Sequence, residues 1–540
     1  MKLCINNMTK LRYMFFYMNN MRSKNIIENL YAVGHECRII KKLYTSQCEN
    51  HIYPPRQHQV FIDYAEYIKR NDSNKNTCMM KKFDDNHFNN LGHCEGKMNF
   101  AKSRKLIEDI DKEYGDMIKQ LTPKEILEYL IFFIRNIPEY ITSTKFYIQS
   151  IDILKIALKR NELNHHEILI FLYFAGLTKK SGSHDVKYIV NYLPLLHQLS
   201  LIEQSIVAHT LFKCAIKFSK IQTRYIEKVI EENSELLVKN KYWLVPLCKA
   251  VRQTGPSQKF TMKNLSQSLI NAQTKFSLPF IAHVVSLYAE AYLKQMDVLT
   301  KLFNEAFLYI STESSARIKD VDRILWSART LNYPLKKEEL DIINTYINKK
   351  FEKNKFQSDL WLNIFLSLWM YEYQPKEKIK ECFKRRLFVP IVKNEILWKL
   401  ITRLNLLVFC IKIEAPDIEI PDEIDVPNQV GLKIDKNVRR MFKMLNIMQN
   451  DLQLSEIELN CPINGINLSG ISAKYKEKHK VHIDFLDEST CLRNLNEPHG
   501  LMNLKLRLLP KIGYQSILVS IKNMETPELL QDYLKKHFHE

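Results

Sequence analysis

Between Ile107 and Ile413 the apolar residues recur at i, i+3, i+4 and i+7, a period that only a helix turns into one continuous stripe. Turn signals interrupt the stripe at Thr122-Pro123, Ser181-Gly182-Ser183, Gly255-Pro256 and Tyr333-Pro334. Thr122 with Glu125 three residues on predicts a capped helix start. The pattern changes near the C-terminus. Val481-His482-Ile483-Asp484-Phe485 alternates as a half-buried strand does, and a second such run, Ser516 to Ile521, follows Gly513-Tyr514. Between them Leu501, Leu504 and Leu508 share a helical face, and a last helix starts near Pro527 and runs through Leu530, Tyr533, Leu534 and Phe538. The order predicted for the last sixty residues is therefore strand, helix, strand, helix.

The helical stretch repeats. The strongest helix starts fall at Ile168, Ile206, Trp243, Ile281, Ile324 and Leu362, separated by 38, 37, 38, 43 and 38 residues. That length is one helical hairpin, which cannot bury its apolar face alone and must stack on its neighbours. The expected fold class is thus mostly α: a helical hairpin repeat solenoid over 106–413, then a small α/β domain over 473–540. A single irregular helical domain is the other arrangement this pattern permits.

Composition narrows the choice. Only 12 glycines occur in 540 residues, too few for a Gly-rich nucleotide-binding enzyme or a many-turned β protein. The 11 cysteines are scattered, odd in number and never spaced C-x-x-C, which reads as reduced thiols. No apolar run approaches the roughly eighteen residues of a membrane span. Met1 to Ile27 contains no acid but has Lys2, Lys10, Arg12, Arg22 and Lys24 among Leu, Met and Phe. Residues 1–47 are accordingly expected to be a transit peptide directing the chain to the mitochondrial matrix. Residues 48–105 read as a polar linker; its Cys78, His87, His93 and Cys94 lack the paired spacing of a zinc site, so no metal or cofactor is expected. From Glu414 to Pro427 acids and prolines without a base predict an extended connector, within a 414–472 segment that also holds a helix from Val438 to Met448.

Charge points to a partner. The chain carries a formal +19, distributed as 18 basic against 9 acidic side chains over 1–105, 45 against 32 over 106–413, 5 against 10 over 414–472 and 11 against 9 over 473–540. An extended polycation suits a phosphate backbone. Each repeat helix is followed by positive charge, which makes Lys179, Lys180, Lys217, Arg252, Lys294 and Lys336 candidate RNA ligands. The same residues are also favoured in any last helical turn, where they oppose the macrodipole. Aromatics such as Tyr173, Phe174, Tyr288, Tyr292, Trp326, Trp361 and Trp369 could stack on bases, but they share the apolar stripe and fit a core.

The C-terminal order, with His499-Gly500, Lys505, Arg507, Leu508-Leu509, Gly513-Tyr514 and Tyr533-Leu534, resembles the RAP domain, an RNA-binding domain abundant in apicomplexans. The resemblance implies a core like that of restriction-type endonucleases, at the C-terminus of an organellar protein built of helical repeats. Together with the repeats it is similar to the octotricopeptide and FAST-kinase-like families, whose members act on organellar RNA. Cys491 to Gly500 departs from the family pattern: it keeps Pro498-His499 but weakens a second strand. The resemblance implies that His499, Lys505, Arg507 and Lys511 meet RNA. The expected partner is single-stranded or fragmented organellar rRNA or mRNA, together with mitochondrial ribosomal proteins if the chain is a ribosome component, and the expected role is RNA processing, stability or rRNA binding. Asp484 matches the strand aspartate of the nuclease fold, yet no acidic-x-Lys follows it, and no P-loop, G-x-S-x-G or H-E-x-x-H occurs. A metal-dependent endoribonuclease and a helical scaffold gripping another protein stand as the alternatives.

Overall fold

The computed structural model describes residues 58–71, 111, 115, 118–136, 141–313, 315–351, 357–392, 398–424, 434–493 and 495–538. The expected transit peptide, and Cys78, His87, His93 and Cys94, lie outside the described residues. The chain forms two units, divided after Thr254.

The first unit is helical: α1 Gln59–Asn71, α2 Pro123–Asn136, α3 Lys145–Lys159, α4 His165–Ala175, α5 Ser183–Val190, α6 Leu201–Lys213, α7 Lys220–Glu232, α8 Ser234–Lys239 and α9 Lys241–Thr254. Local chemistry sets the starts. The amide of Glu125 donates to Thr122 Oγ1 while the Glu125 carboxylate accepts from the Thr122 amide, the reciprocal cap expected from the sequence. Asn164 and Glu167 repeat this device at α4. Helices α4, α6 and α9 pack side by side in one row, while α3 and α5 flank α4 and α7 flanks α9. Ile168, Ile206 and Trp243, the anchors read from the sequence, lie on these three row helices.

Helix α1 corrects the reading of 48–105 as a linker. It packs on α6 and α9 with Val60, Phe61, Tyr64 and Ala65 buried, Phe61 stacked on Tyr173 at 4.1 Å, and Trp243 Nε1 donating to Asp63 at 3.0 Å. Its apolar stripe is short and set in a polar surround, so the pattern drowns in any window long enough to measure it.

In the second unit the same row motif recurs: α10 Lys263–Asn271, α11 Leu278–Glu290, α12 Met296–Thr312, α13 Ile318–Thr330, α14 Lys337–Phe351, α15 Ser358–Met370, α16 Lys376–Lys384, α17 Val389–Val392 and α18 Trp398–Glu414. Helices α11, α13, α15 and α18 pack successively, and α10, α12 and α14 form a second layer. Among the described residues no helix is long and apolar enough to cross a membrane.

After α18 the chain turns through a short 3-10 segment at Asp422–Ile424 and enters an α/β part: α19 Lys436–Ile447, β1 Leu454–Asn460, β2 Gly470–Tyr475, β3 His479–Leu486, α20 Gly500–Lys511, β4 Gln515–Ser520 and α21 Pro527–Phe538. The sheet order is β1-β2-β3-β4, antiparallel except for β3 and β4, which are parallel and joined by α20. The four elements expected after residue 480 are therefore present, but the sheet begins earlier than expected. Strand β1 hides from sequence reading because its register shifts between Ser455 and Glu458, with Glu456 at φ 51°, and a bulge breaks the alternation. Period two divides β3 between two faces. Val481, Ile483 and Phe485 enter an apolar core with Val438, Met441 and Leu445 of α19 and Leu530, Leu534 and Phe538 of α21. His482 and Asp484 face the other way, toward α20.

Candidate nucleic-acid interface

The four C-terminal cation and histidine candidates are all engaged within the fold. Lys505 is fully buried; its Nζ donates to Asp484 Oδ1 at 2.5 Å and to the Leu468 carbonyl at 2.8 Å. Arg507 reaches the end of α15, donating from Nη2 to the Trp369 carbonyl at 3.0 Å and from Nη1 to the Met370 carbonyl at 3.3 Å. Its Nη2 also lies 3.2 Å from Glu414 Oε2, and Lys511 Nζ lies 2.5 Å from Glu414 Oε1. His499 is buried, caps α20 through the Met502 amide, and stacks on Tyr292 at 5.3 Å. The reasons differ. Arg507 meets carbonyls that the end of α15 leaves without partners and, with Lys511, the Glu414 carboxylate on the last turn of α18, so both dock α20 onto the row. Lys505 instead ties α20 to the sheet, and being buried, Lys505 and His499 cannot touch RNA in this arrangement.

Asp484 is equally enclosed. His482 Nδ1 is 2.9 Å from Ser472 Oγ, and its Nε2 is 3.6 Å from Asp484 Oδ1. Burial alone would raise the Asp484 carboxyl, but the Lys505 ammonium, with His482, outweighs this and holds it below the usual range. With Lys505 on Oδ1 and no exposure to solvent, Asp484 is the anion of a buried ion pair, and its Oδ2 has no partner among the described residues.

Burial lowers the imidazoles of His482 and His499. An unfolded chain takes up protons at these residues first, so the stability they contribute is full above the ordinary histidine range near pH 6.5 and is lost as pH falls below it. The urea midpoint of the second unit is therefore expected to drop between pH 7 and pH 5, and a flat profile there would contradict the assignment of these two histidines as buried and neutral.

The helical candidates divide differently. Lys294, 13% exposed, pairs with Glu497 at 2.8 Å, and Arg252 is half-buried on the last turn of α9. Lys179, Lys180, Lys217 and Lys336 are exposed, and among the described residues their ammonium groups have no partner. Of the aromatic candidates, Tyr173, Phe174, Tyr288, Trp361 and Trp369 are core, Trp326 is half-buried and Tyr292 is occupied by His499.

Two polar groups were not singled out from the sequence. Across α13, α15 and α18, Arg403 donates to Asn363 Oδ1 at 2.7 Å, and burial followed by the Arg403 charge lowers Arg329 to about 10. Burial raises the neighbouring Asp322 to about 6, against the pull of Arg329 and Arg403. Polar residues standing on buried positions of otherwise apolar row helices were the available signal. In the first unit His165, His166 and Glu203 bring one ligand atom each within 4.8 Å, the described group best able to hold a metal ion. Glu203 Oε1 lies 2.9 Å from His165 Nε2 and its Oε2 accepts from the Ser200 amide at 2.8 Å, so the carboxylate already ties α4 to the start of α6.

No protein-family profile and no curated protein sequence matches this chain.

Proposed function

We propose that this protein is an RNA-binding protein of the mitochondrial matrix, built of helical hairpins that stack as a solenoid and are followed by a RAP-like α/β domain. The observation that carries the reading is the +19 net charge together with Lys179, Lys180, Lys217 and Lys336, which stay exposed and unpaired by described neighbours after the other candidates are absorbed. Residues 255–413 alone hold 25 basic against 15 acidic side chains, so the helices, not the α/β part, carry the excess. Such a surface is suited to successive phosphates of a single strand. In this reading His499, Lys505, Arg507 and Lys511 hold the α/β domain on the row and reach RNA only indirectly. In this reading the protein binds RNA without cleaving it, which the burial of Asp484 beneath Lys505 supports.

The test is the salt dependence of single-stranded RNA binding by fluorescence anisotropy. Each phosphate contact contributes a slope of about −0.7 in log K against log salt, so replacing the four lysines with Gln should make the slope shallower by about 3. An unchanged slope sinks the assignment of these lysines, and salt-independent or absent binding sinks the RNA reading itself. Whether the RNA is held in a ribosomal subunit or on a transcript is read from sedimentation through salt washes: co-sedimentation with a subunit marks a ribosome component, substoichiometric recovery a processing or stability factor.

A further inference from the structure

Two consecutive histidines open α4, and both turn toward one carboxylate in the first turn of α6. His165 Nε2 lies 2.9 Å from Glu203 Oε1, and His166 Nδ1 lies 3.6 Å from the same oxygen. The hydroxyl of Tyr64, from α1, stands 3.0 Å from His166 Nδ1 and 3.5 Å from Glu203 Oε1. Three helices remote in sequence thus bring four polar atoms to one point.

Three observations go beyond ordinary packing. First, successive residues of a helix point about 100° apart, so adjacent side chains diverge unless something gathers them. Here both rings converge on Glu203 Oε1. Second, hydrogen bonding covers only part of the geometry: His165 is at hydrogen-bond distance from the carboxylate, but 3.6 Å is too long for His166. A zinc ion bonded at about 2.1 Å to the corners of a tetrahedron holds those corners about 3.4 Å apart. The separations of 2.9, 3.6, 3.0 and 3.5 Å lie on either side of that edge. Third, Glu203 is oriented in advance. Its side chain is 7% exposed, and Oε2 accepts from the Ser200 amide and hydroxyl, both at 2.8 Å, which turns Oε1 toward the histidines. Hydrogen bonds of this kind fix the ligating carboxylate in metal sites.

We propose that His165 Nε2, His166 Nδ1 and Glu203 Oε1, which lie within 4.8 Å of one another, form a zinc site that fastens α4 to α6. Two imidazoles and a carboxylate suit zinc, and three protein ligands leave a fourth position for water. The side chains of His165 and His166 are 34% and 47% exposed, so the ion enters from solvent. On binding, each imidazole is neutral and keeps its proton on the nitrogen away from the ion, Nδ1 of His165 and Nε2 of His166. The Tyr64 hydroxyl can then no longer donate to His166 Nδ1, and it turns to Glu203 Oε1. The start of α4 sets about half a positive charge beside the ion, less than the full negative charge that Glu203 supplies. None of these residues carries the RNA reading, and the site stands whether or not RNA binds.

The experiment uses the full chain, stripped with a chelator and titrated with zinc chloride against a chromophoric zinc indicator. Cysteines and histidines elsewhere in the chain can also take up zinc, so the readout is the difference in stoichiometry between wild type and variants. Glu203→Gln and His166→Ala are each expected to lose one equivalent. The affinity at this site should fall by more than the about 10- to 100-fold that a residue hydrogen-bonded to a ligand is worth. Gln keeps an oxygen to cap Ser200 while turning its amide toward the histidines, and His166 is the most exposed of the three, so both variants should fold. Equal urea midpoints without metal check this, and should Glu203→Gln unfold, His166→Ala decides alone. With cobalt in place of zinc, the visible band of four-coordinate metal should weaken in both variants while any near-ultraviolet thiolate band stays, because this site holds no sulfur. Unchanged zinc stoichiometry in a folded variant overturns the proposal, as does a wild type that takes up no zinc.

Discussion

Replacing Lys505 with Met is expected to destabilise the second unit by about 3–5 kcal/mol at pH 7, because it leaves the Asp484 carboxylate buried without its counter-ion. Both side chains are at most 1% exposed, and the Nζ to Oδ1 distance is 2.5 Å. Water cannot take over from the missing ammonium. The carboxyl responds by holding a proton, and this reverses the sign of its pH dependence. In the wild type the depressed Asp484 contributes stability above the ordinary carboxyl range near pH 4, lost as pH falls through the lower folded value. In Lys505→Met the raised carboxyl contributes stability at low pH that is lost as pH rises through the new folded value. Urea titrations at pH 4.5 and pH 7 should therefore show the gap between variant and wild type widening with pH. The double change Asp484→Leu with Lys505→Met removes both charges and should cost far less than the sum of the two single changes. Additive losses would mean that the two groups do not act as a pair.

Gly500→Ala is expected to cost about 3 kcal/mol and to loosen the α/β part from the row helices. A Cβ at this position would lie 1.8 Å from the Arg329 carbonyl oxygen and 2.7 Å from its carbon, both backbone atoms at the end of α13. No rotamer relieves such a contact, so α20 must retreat by an ångström or more. That retreat stretches the Arg507 bonds to the Trp369 and Met370 carbonyls and separates His499 from Tyr292. Gly513→Ala is the control: its φ of 85° brings backbone strain worth about 1–2 kcal/mol, but nothing lies within 4 Å of the added carbon. Hydrogen exchange should show the ends of α15 and α18 losing protection in Gly500→Ala and keeping it in Gly513→Ala. Equal exchange in the two variants would show that α20 does not depend on this close approach.

Much of the framework was legible. The anchors Ile168, Ile206, Trp243, Ile281, Ile324 and Leu362 each fall on a helix that packs in a row, because a helix buried on most sides must be apolar on most sides. Val481 to Phe485 lies inside His479–Leu486, and the final helix starts at Pro527 as its sequence suggests, since proline suits a first turn. Strand β1 and helix α1 escaped notice for local reasons, a bulge in one and a short stripe in the other.

Function was harder to read. Sequence alone determined the number and kind of cations, the helical period that spaces them, and the alternation that puts His482 and Asp484 on one face of β3. Only the tertiary structure decided what stands opposite each charge: Glu414 meets Arg507 from 93 residues away, and the Trp369 carbonyl meets it from 138. A lysine has the same chemistry whether it faces a phosphate, a helix end or an aspartate. Its role is set by whichever negative group the fold brings within a few ångströms, and that distance is a property of packing between segments remote in the chain.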